Sequence, residues 1–451
     1  MEINIISPIH VQVSRQIQNI VGRSLSFKGE VWRRGRFKME RREYTKCLVS
    51  KDGYTFTGFL DRILTMLPCP PTITGGFSKV EYDESLEIPP TGNFKELRED
   101  QKRLVKSALV KQRGVLKAPT GSGKTVLAAS IVKKIPNSKV VFLCHTKTLV
   151  RQTSEEFRKF GIPCSVFYGE EKVLSNVTVA TIQSFCKLEF EEQNQFDVLM
   201  IDECHHVSGF ATVYGKLLSK MTATMRLGFT ATLSKQKEGE LAVEGLLGPL
   251  LDELSISEGI EEGIIATPII RLLPVKENSM IADLGNYKDI YNAGIVTNRY
   301  RNNLIASTAI KYQKMGMSSL IMVREIHHGE LLSEVLTNLG EEPVFVQGGT
   351  DTETRELIKK SLNDNLLKIV ISTAIWYEGV NIPSLCVIIN GCGGKSDIRT
   401  VQIVGRGLRT TENKDEIIVV DFLDPYKYLA QHAIQRIRIY VENGWMGDEN
   451  A

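Results

Sequence analysis

Ala118-Pro119-Thr120-Gly121-Ser122-Gly123-Lys124-Thr125 is the stretch on which the reading of this chain turns. An apolar run, Gly114-Val115-Leu116-Lys117, leads into it, and a helical pattern from Val126 to Lys134 leads out. A strand, a glycine-rich loop and a helix in that order point backbone N–H groups and a helix N-terminus at a polyphosphate. Pro119, Thr120, Gly121, Ser122 and Gly123 would form the cradle. Lys124 would reach the terminal phosphates, and the Thr125 hydroxyl would ligate magnesium. The strict pattern has Gly where this chain has Ala118.

Downstream, Val198-Leu199-Met200-Ile201 is an apolar run ending in Asp202-Glu203-Cys204-His205. That is the pattern of a buried parallel strand with acids at its carboxyl end, where open α/β sheets bind ligands. Asp202 is placed to hold Mg2+ through its water shell. Glu203 is placed to orient and deprotonate the water that attacks a γ-phosphate.

The same alternation extends along most of the chain. One series of short apolar runs includes Lys139 to Cys144, Val177 to Thr181, Val198 to Asp202 and Leu227 to Ala231. A second includes Ser319 to Val323, Pro343 to Gln347, Lys368 to Ser372, Cys386 to Asn390 and Glu416 to Asp421. Interleaved with helix-like stretches, they predict an α/β protein with two tandem doubly wound parallel-sheet domains, an arrangement that, with the two motifs above, resembles tandem RecA-like domains. The looser stretch Leu251 to Arg301 reads as the connection between them. Before Leu97 the glycine-punctuated, aromatic-containing pattern predicts a small N-terminal β-rich or α+β module. The expected division is 1–90, 91–255 and 256–451.

The 451 residues are 42% hydrophobic, ample for several globular cores, and the formal charge is only +3. A polyanionic partner must therefore be met by local patches. From Arg15 to Lys51 eleven Lys or Arg face three Glu. In that segment Trp32, Phe37 and Tyr44 interleave with Arg33, Arg34 and Arg36, a composition suited to phosphates and stacked bases. No apolar run reaches the length of a membrane span and no basic-then-apolar leader opens the chain, which predicts a cytoplasmic protein with no membrane partner. Eight cysteines are scattered without a C-x-x-C pair, and predict neither a zinc site nor a disulfide framework.

Taken together these motifs resemble those of superfamily 2 DExH-box helicases, over about residues 94 to 424. The resemblance implies that Gln101, with Arg98, reads the adenine edge; an amide offers donor and acceptor side by side. Leu143 to Gln152 and Val179 to Ser184 resemble strand-end motifs that hold a nucleic-acid backbone, with Thr148 and Thr181 as hydroxyl contacts. Gly228-Phe229-Thr230-Ala231-Thr232 resembles motif III, which couples hydrolysis to domain motion through Thr230 and Thr232. Ser372-Thr373-Ala374 with Glu378 to Pro383 resembles motif V, implying a phosphate contact at Thr373 and a place near the nucleotide for Gly379. Asn381 stands where many relatives have Asp. Gln402 to Arg409 resembles motif VI: Arg409 is the arginine finger, Arg406 lies beside it on one helix face, and Gln402 meets His205 as a latch.

The compact layout and basic amino-terminal module are most similar to phage branch-migration helicases of the UvsW type, with an XPB-like core. That implies an ATP-dependent DNA helicase or translocase remodelling forks or four-way junctions in replication, recombination or repair. It would work with ATP and Mg2+ as a monomeric motor, in the bacterial host's cytoplasm if phage-encoded. An RNA helicase and a non-unwinding duplex-DNA translocase subunit of a restriction-type complex remain open at this point.

Overall fold

A computed structural model describes residues 1–34, 39–92, 94–376, 382, 384–395, 397–405, 408 and 414–446. The chain divides into two compact units, Met1–Ala118 with Gly123–Leu254, and Ser255–Ala451 with Pro119–Ser122.

The amino-terminal module is α+β. β1 (Glu2–Ile5), β2 (His10–Val13), β3 (Ser26–Arg34), β4 (Met39–Cys47), β5 (Tyr54–Phe56) and β6 (Thr72–Gly75) are its strands. β5-β2-β1-β6 form one sheet, and β3 and β4 pair as a separate antiparallel ribbon of nine residues a side. Ile3, Val11, Val13, Ile17, Val21, Phe27, Phe59 and Ile63 are buried between them, and Leu241 of the following lobe completes that cluster. Module and lobe thus share a core. The Arg62 guanidinium pairs with Glu240 and Glu244, and the Cβ that Gly58 lacks would lie 2.0 Å from the Glu244 carbonyl oxygen, so only glycine allows this approach.

The first lobe contributes β7 (Arg113–Lys117), β8 (Val140–Cys144), β9 (Ser165–Tyr168), β10 (Glu171–Lys172), β11 (Val177–Thr181), β12 (Val198–Asp202), β13 (Met225–Thr230) and β14 (Leu250–Glu253). Their order is β10-β9-β11-β8-β12-β13-β7-β14, parallel except at the β9–β10 edge. β8, β13 and most of β12 are wholly buried in the helix-covered parallel sheet; β8 and Val198 to Ile201 are continuous apolar runs, whereas β13 carries the buried Arg226. The order sets β12 and β7 on either side of β13, so the ends of three motif-bearing strands are neighbours.

The second lobe is a six-stranded parallel sheet, ordered β15-β20-β19-β16-β18-β17. Its strands are β15 (Thr267–Pro274), β16 (Ser319–Met322), β17 (Val344–Val346), β18 (Ile369–Ser372), β19 (Val387–Asn390) and β20 (Glu416–Leu423). The stretch read from sequence as a loose connection, Leu251 to Arg301, is in fact structured. Within it β15 pairs residue for residue with β20 from Thr267 to Pro274, and a helix begins at Arg299. β15 escaped notice because it is an edge strand of which half the positions are only partly buried, so its apolar run is broken by Arg271 and two prolines.

Candidate functional site

The loop after β7 needs its glycines. Gly121 and Gly123 take φ of 92° and 93°, in the left-handed region, and Gly123 caps the helix Lys124–Lys134. Ser122 folds back through its Oγ to the Pro119 carbonyl at 2.8 Å, tightening the loop. The Lys124 ammonium donates to the Ala118 carbonyl oxygen at 3.3 Å and lies 3.6 Å from Glu203 Oε1. Gln101 is buried in the first turn of the helix Glu99–Lys111, where its Oε1 accepts from the Arg98 N–H at 3.2 Å. A Cβ on Gly123 would lie 2.7 Å from Gln101 Nε2, so the amide abuts the loop. The Arg98 guanidinium forks onto Asp100 at 3.0 and 2.9 Å.

Asp202 ends β12 and Glu203 follows with φ of 48°, an αL turn that swings its carboxylate back toward Lys124. Burial, and next the charge of Glu203, push the Asp202 carboxyl well above the ordinary carboxylate range. Such a buried acid is ionised comfortably only beside a cation. The same burial pushes the Cys204 thiol well up, with Glu203 and Asp202 adding to it, so the cysteine in this motif is inert packing.

From Glu203 a chain of polar contacts continues into motif III. Glu203 Oε2 lies 3.3 Å from His205 Nδ1, and His205 Nδ1 lies 3.1 Å from Thr230 Oγ1. Thr230 Oγ1 donates to the Thr232 carbonyl at 2.7 Å and accepts from the Thr232 N–H at 3.2 Å. His205 and Thr230 are both buried. The expected latch partner, Gln402, sits in the helix Asp397–Gly405, and its side chain lies outside the described residues. Sequence reasoning missed His145 and His206. Their rings are 4.4 Å apart, His206 is 4.4 Å from His205, and the charge of His145 acts on Asp202. Only the position of His145 one residue past β8 could have signalled it.

The nucleic-acid candidates are scattered over several elements. Thr148 is half-buried in the first turn of the helix Lys147–Lys159, where Thr146 is the cap. Thr181 is buried, and its hydroxyl caps the helix Ile182–Phe185 and bonds Ser184 Oγ at 3.0 Å. Thr373 follows β18, buried, with its N–H donating to the Val346 carbonyl. On the β3–β4 ribbon Arg33 and Arg34 stand in register with Glu40 and Met39, their side chains undescribed. Tyr44 packs over Gly29, whose absent Cβ would meet the ring at 2.4 Å, and edge-on to Phe27. Arg36, Gly379, Arg406 and Arg409 lie outside the described residues.

The approach to the helix Asp397–Gly405 is held by residues that carry no motif. The backbone carbonyls of Gly391, Cys392 and Gly394 accept, in turn, from Arg301 Nη1 at 3.0 Å, Tyr291 OH at 2.9 Å and Arg436 Nη1 at 2.8 Å. Arg301 is itself paired with Asp424 at 2.9 Å, and Arg436 with Asp421 through two bonds of 2.7 and 3.0 Å. All four charged residues are buried.

A phosphate-binding loop, strand-end acids on the next strand but one and a threonine relay between them define a P-loop motor with two α/β lobes. Residues 94–235 match the family described as type III restriction enzyme, res subunit, and residues 302–411 match the helicase conserved C-terminal domain. The chain is 25% identical over 414 residues to the ATP-dependent DNA helicase uvsW of Enterobacteria phage T4, covering 81% of this chain and 80% of that one. It is 24% identical over 383 residues to the DNA 3'-5' translocase XPB2 of Sulfurisphaera tokodaii, covering 75% and 84%. In fold it is similar to S. cerevisiae Dbp5 bound to RNA and ADP BeF3, with a TM-score of 0.56 and 16% identity over 78% of this chain and 89% of that one. The chain is a superfamily 2 DExH-box helicase of the UvsW type, an ATP-dependent enzyme. Among the described residues no helix is long and apolar enough to cross a membrane.

Proposed function

We propose that this helicase is a DNA translocase that remodels branched DNA, with Mg2+ as the companion of ATP. The observation that carries the ATP-driven part of this reading is the unbroken contact chain Lys124–Glu203–His205–Thr230–Thr232, which ties the phosphate loop to motif III. When bound, the magnesium nucleotide supplies the γ-phosphoryl group and the charge that Lys124 answers. The N–H groups of Gly121 to Thr125 and the Lys124 ammonium would hold the phosphates, Thr125 and Asp202 would hold the cation, and Gln101 would meet the base edge. Glu203 orients a water and takes its proton. The ionisation state of Glu203 is felt at His205 and passed through the Thr230 hydroxyl to the Thr232 backbone. Arg409, with Arg406 beside it, is the finger by its place in the motif.

DNA is favoured as the substrate because the relatives that span four-fifths of their own length are DNA motors by name. The basic run Arg15 to Lys51 supports a duplex- or junction-gripping role for the module, since cations that neutralise phosphates need no base contacts. The test is ATP turnover measured in parallel with single-stranded DNA, duplex, a synthetic four-way junction and RNA. Branched DNA should stimulate most. Stimulation that requires a 2′-OH would transfer the enzyme to RNA. Replacing Arg33, Arg34 and Arg36 with Ala should make the salt slope of junction binding shallower by about 0.9 for each phosphate no longer neutralised. An unchanged slope would remove the module from the DNA interface.

A further inference from the structure

At the end of the first-lobe sheet opposite the phosphate loop lies a cavity of about 310 Å³, between the module and the start of β7. Three cations line it, Lys79, Lys111 and Arg113, against one carboxylate, Asp61. Ile5, Leu60, Phe77 and Pro249 form its apolar wall. Gln112 also lines it, but both ends of its amide are taken by Val80, at 2.8 and 2.6 Å.

Arg113 is the unusual member. Its Nη2 donates to the Pro8 carbonyl of the module, while its Nε is enclosed and has no acceptor among the described residues. Neighbouring Arg226 is fully buried and meets three carbonyl oxygens, of Leu246, Met221 and Leu218, each at 2.7 Å, with no carboxylate paired to it among the described residues. Burial, and then the charge of Arg226, hold the Arg113 guanidinium well below its usual range, and burial alone brings Arg226 down to about 9. Buried charges in folded proteins are ordinarily paired. Here one guanidinium, Arg113, lines a cavity to which Lys79 and Lys111 add two ammonium groups, and the buried charge of Arg226 acts on it from behind.

We propose that this cavity binds a phosphomonoester with an apolar body. The lining carries a net charge of two positives, three cations against Asp61. A phosphomonoester at neutral pH carries about −1.5 to −2, which matches it, whereas one carboxylate would leave a cation unanswered. Guanidinium and ammonium N–H groups make strong, charge-assisted bonds to such oxygens. The volume lies at the lower end of the roughly 300–1,000 Å³ of small-molecule pockets, enough for a ring or short chain against Phe77 and Leu60. Arg113 opens β7, which ends at the phosphate loop, and grips Pro8, so occupancy would also fasten the module to the lobe.

Isothermal titration of the full chain tests this, in a Lys124→Ala background so that the phosphate loop does not contribute, with inorganic phosphate and phenyl phosphate as probes. Saturable binding is expected for both, tighter for phenyl phosphate. Lys79→Ala with Lys111→Ala should weaken each by roughly tenfold or more, as charge-assisted bonds are removed. Both lysines are exposed, so the pair should leave basal ATP turnover, measured with Lys124 restored, at the parent's level. Arg113→Gln should abolish binding. No saturable heat for either probe, or equal affinities in the parent and the double-lysine variant, would overturn the proposal.

Discussion

Replacing Arg436 with Met isolates what the buried pairs of the second lobe do. In the native chain the guanidinium donates to Asp421 Oδ2 at 2.7 Å and Oδ1 at 3.0 Å, and to the carbonyls of Gly394 at 2.8 Å and Phe422 at 3.0 Å. Tyr440 OH adds a bond to Asp421 Oδ2 at 2.6 Å. Met fills most of the volume but leaves Asp421, which is 1% exposed, with the tyrosine hydroxyl and its own neighbouring N–H as remaining donors. Breaking one half of a buried pair costs about 3–5 kcal/mol. Asp421 now sits below the ordinary carboxylate range: burial raises it, but the charge and bonds of Arg436 more than offset this. Without Arg436 the burial effect would prevail, and the second lobe should lose stability as pH rises through the elevated carboxyl. The assay is urea unfolding of Arg436→Met and of Asp421→Asn with Arg436→Met, followed through Trp445 of the second lobe. The double variant should recover part of the loss, because no charge is then stranded. A single-variant cost under about 1 kcal/mol, or a double variant less stable than the single, would refute the reasoning.

Glu203→Gln keeps the shape but cannot take a proton, so ATP affinity should stay near the parent's while turnover falls by about 10²–10⁴-fold; failure to bind ATP would show that Glu203 has a different role. Thr230→Val removes the hydroxyl joining His205 to Thr232 at a cost of about 1–3 kcal/mol in stability, and should lower base pairs opened per ATP more than ATP turnover itself; equal losses would cut motif III out of the coupling chain. His328 is wholly buried with its Nε2 3.0 Å from Asn302 Oδ1, and burial lowers it to about 3. The unfolded chain therefore binds the extra proton first, and stability should fall below pH 6.5, by about 2 kcal/mol at pH 5. His328→Gln should flatten that slope in melting curves, and an unaltered slope would place the titrating group elsewhere.

What the sequence discloses depends on how a residue acts. Strands β8, β12, β16, β18 and β19 are buried on both faces, so each is an unbroken apolar run. β9, β14 and β15, at or near sheet edges, carry mixed faces such as the exposed Leu250 and half-buried Ile269 and Ile270, and their pattern dissolves into that of loops. The proposed nucleotide site follows the same logic. Gly121, Gly123, Lys124, Asp202, Glu203 and Thr230 act through conformations or groups that few other residue types supply, at fixed spacing, and so form a legible motif. Arg301, Arg436 and Tyr291 act on backbone carbonyls, which any sequence provides, and their partners lie 90, 42 and 101 positions away.

That contrast bears on why the second lobe keeps two ion pairs where an apolar core would serve. Replacing a buried pair by well-packed apolar groups is often neutral or stabilising, so stability alone gives no reason to retain Arg301–Asp424 and Arg436–Asp421. Direction does. Apolar contacts are indifferent to the rotation of a peptide plane, whereas a guanidinium held from behind by a carboxylate presents its remaining N–H along a fixed line. Asp424 fixes Arg301 against Gly391, and Asp421 fixes Arg436 against Gly394. The span Gly391 to Gly394, which leads toward the helix Asp397–Gly405, is thereby held at both of its ends, with Tyr291 at the Cys392 carbonyl between them. Gly393 inside that span has φ of 60°, a turn that a β-carbon would oppose both by strain and by meeting Ile295 at 2.7 Å. A loop so free in its backbone needs external fixing if the helix after it is to present motif VI in one orientation. The cost of Arg436→Met should therefore appear twice, as reduced stability and as lowered ATP turnover with little change in KM, and Arg436→Lys, which keeps the charge but not the fork, should restore more of the stability than of the turnover.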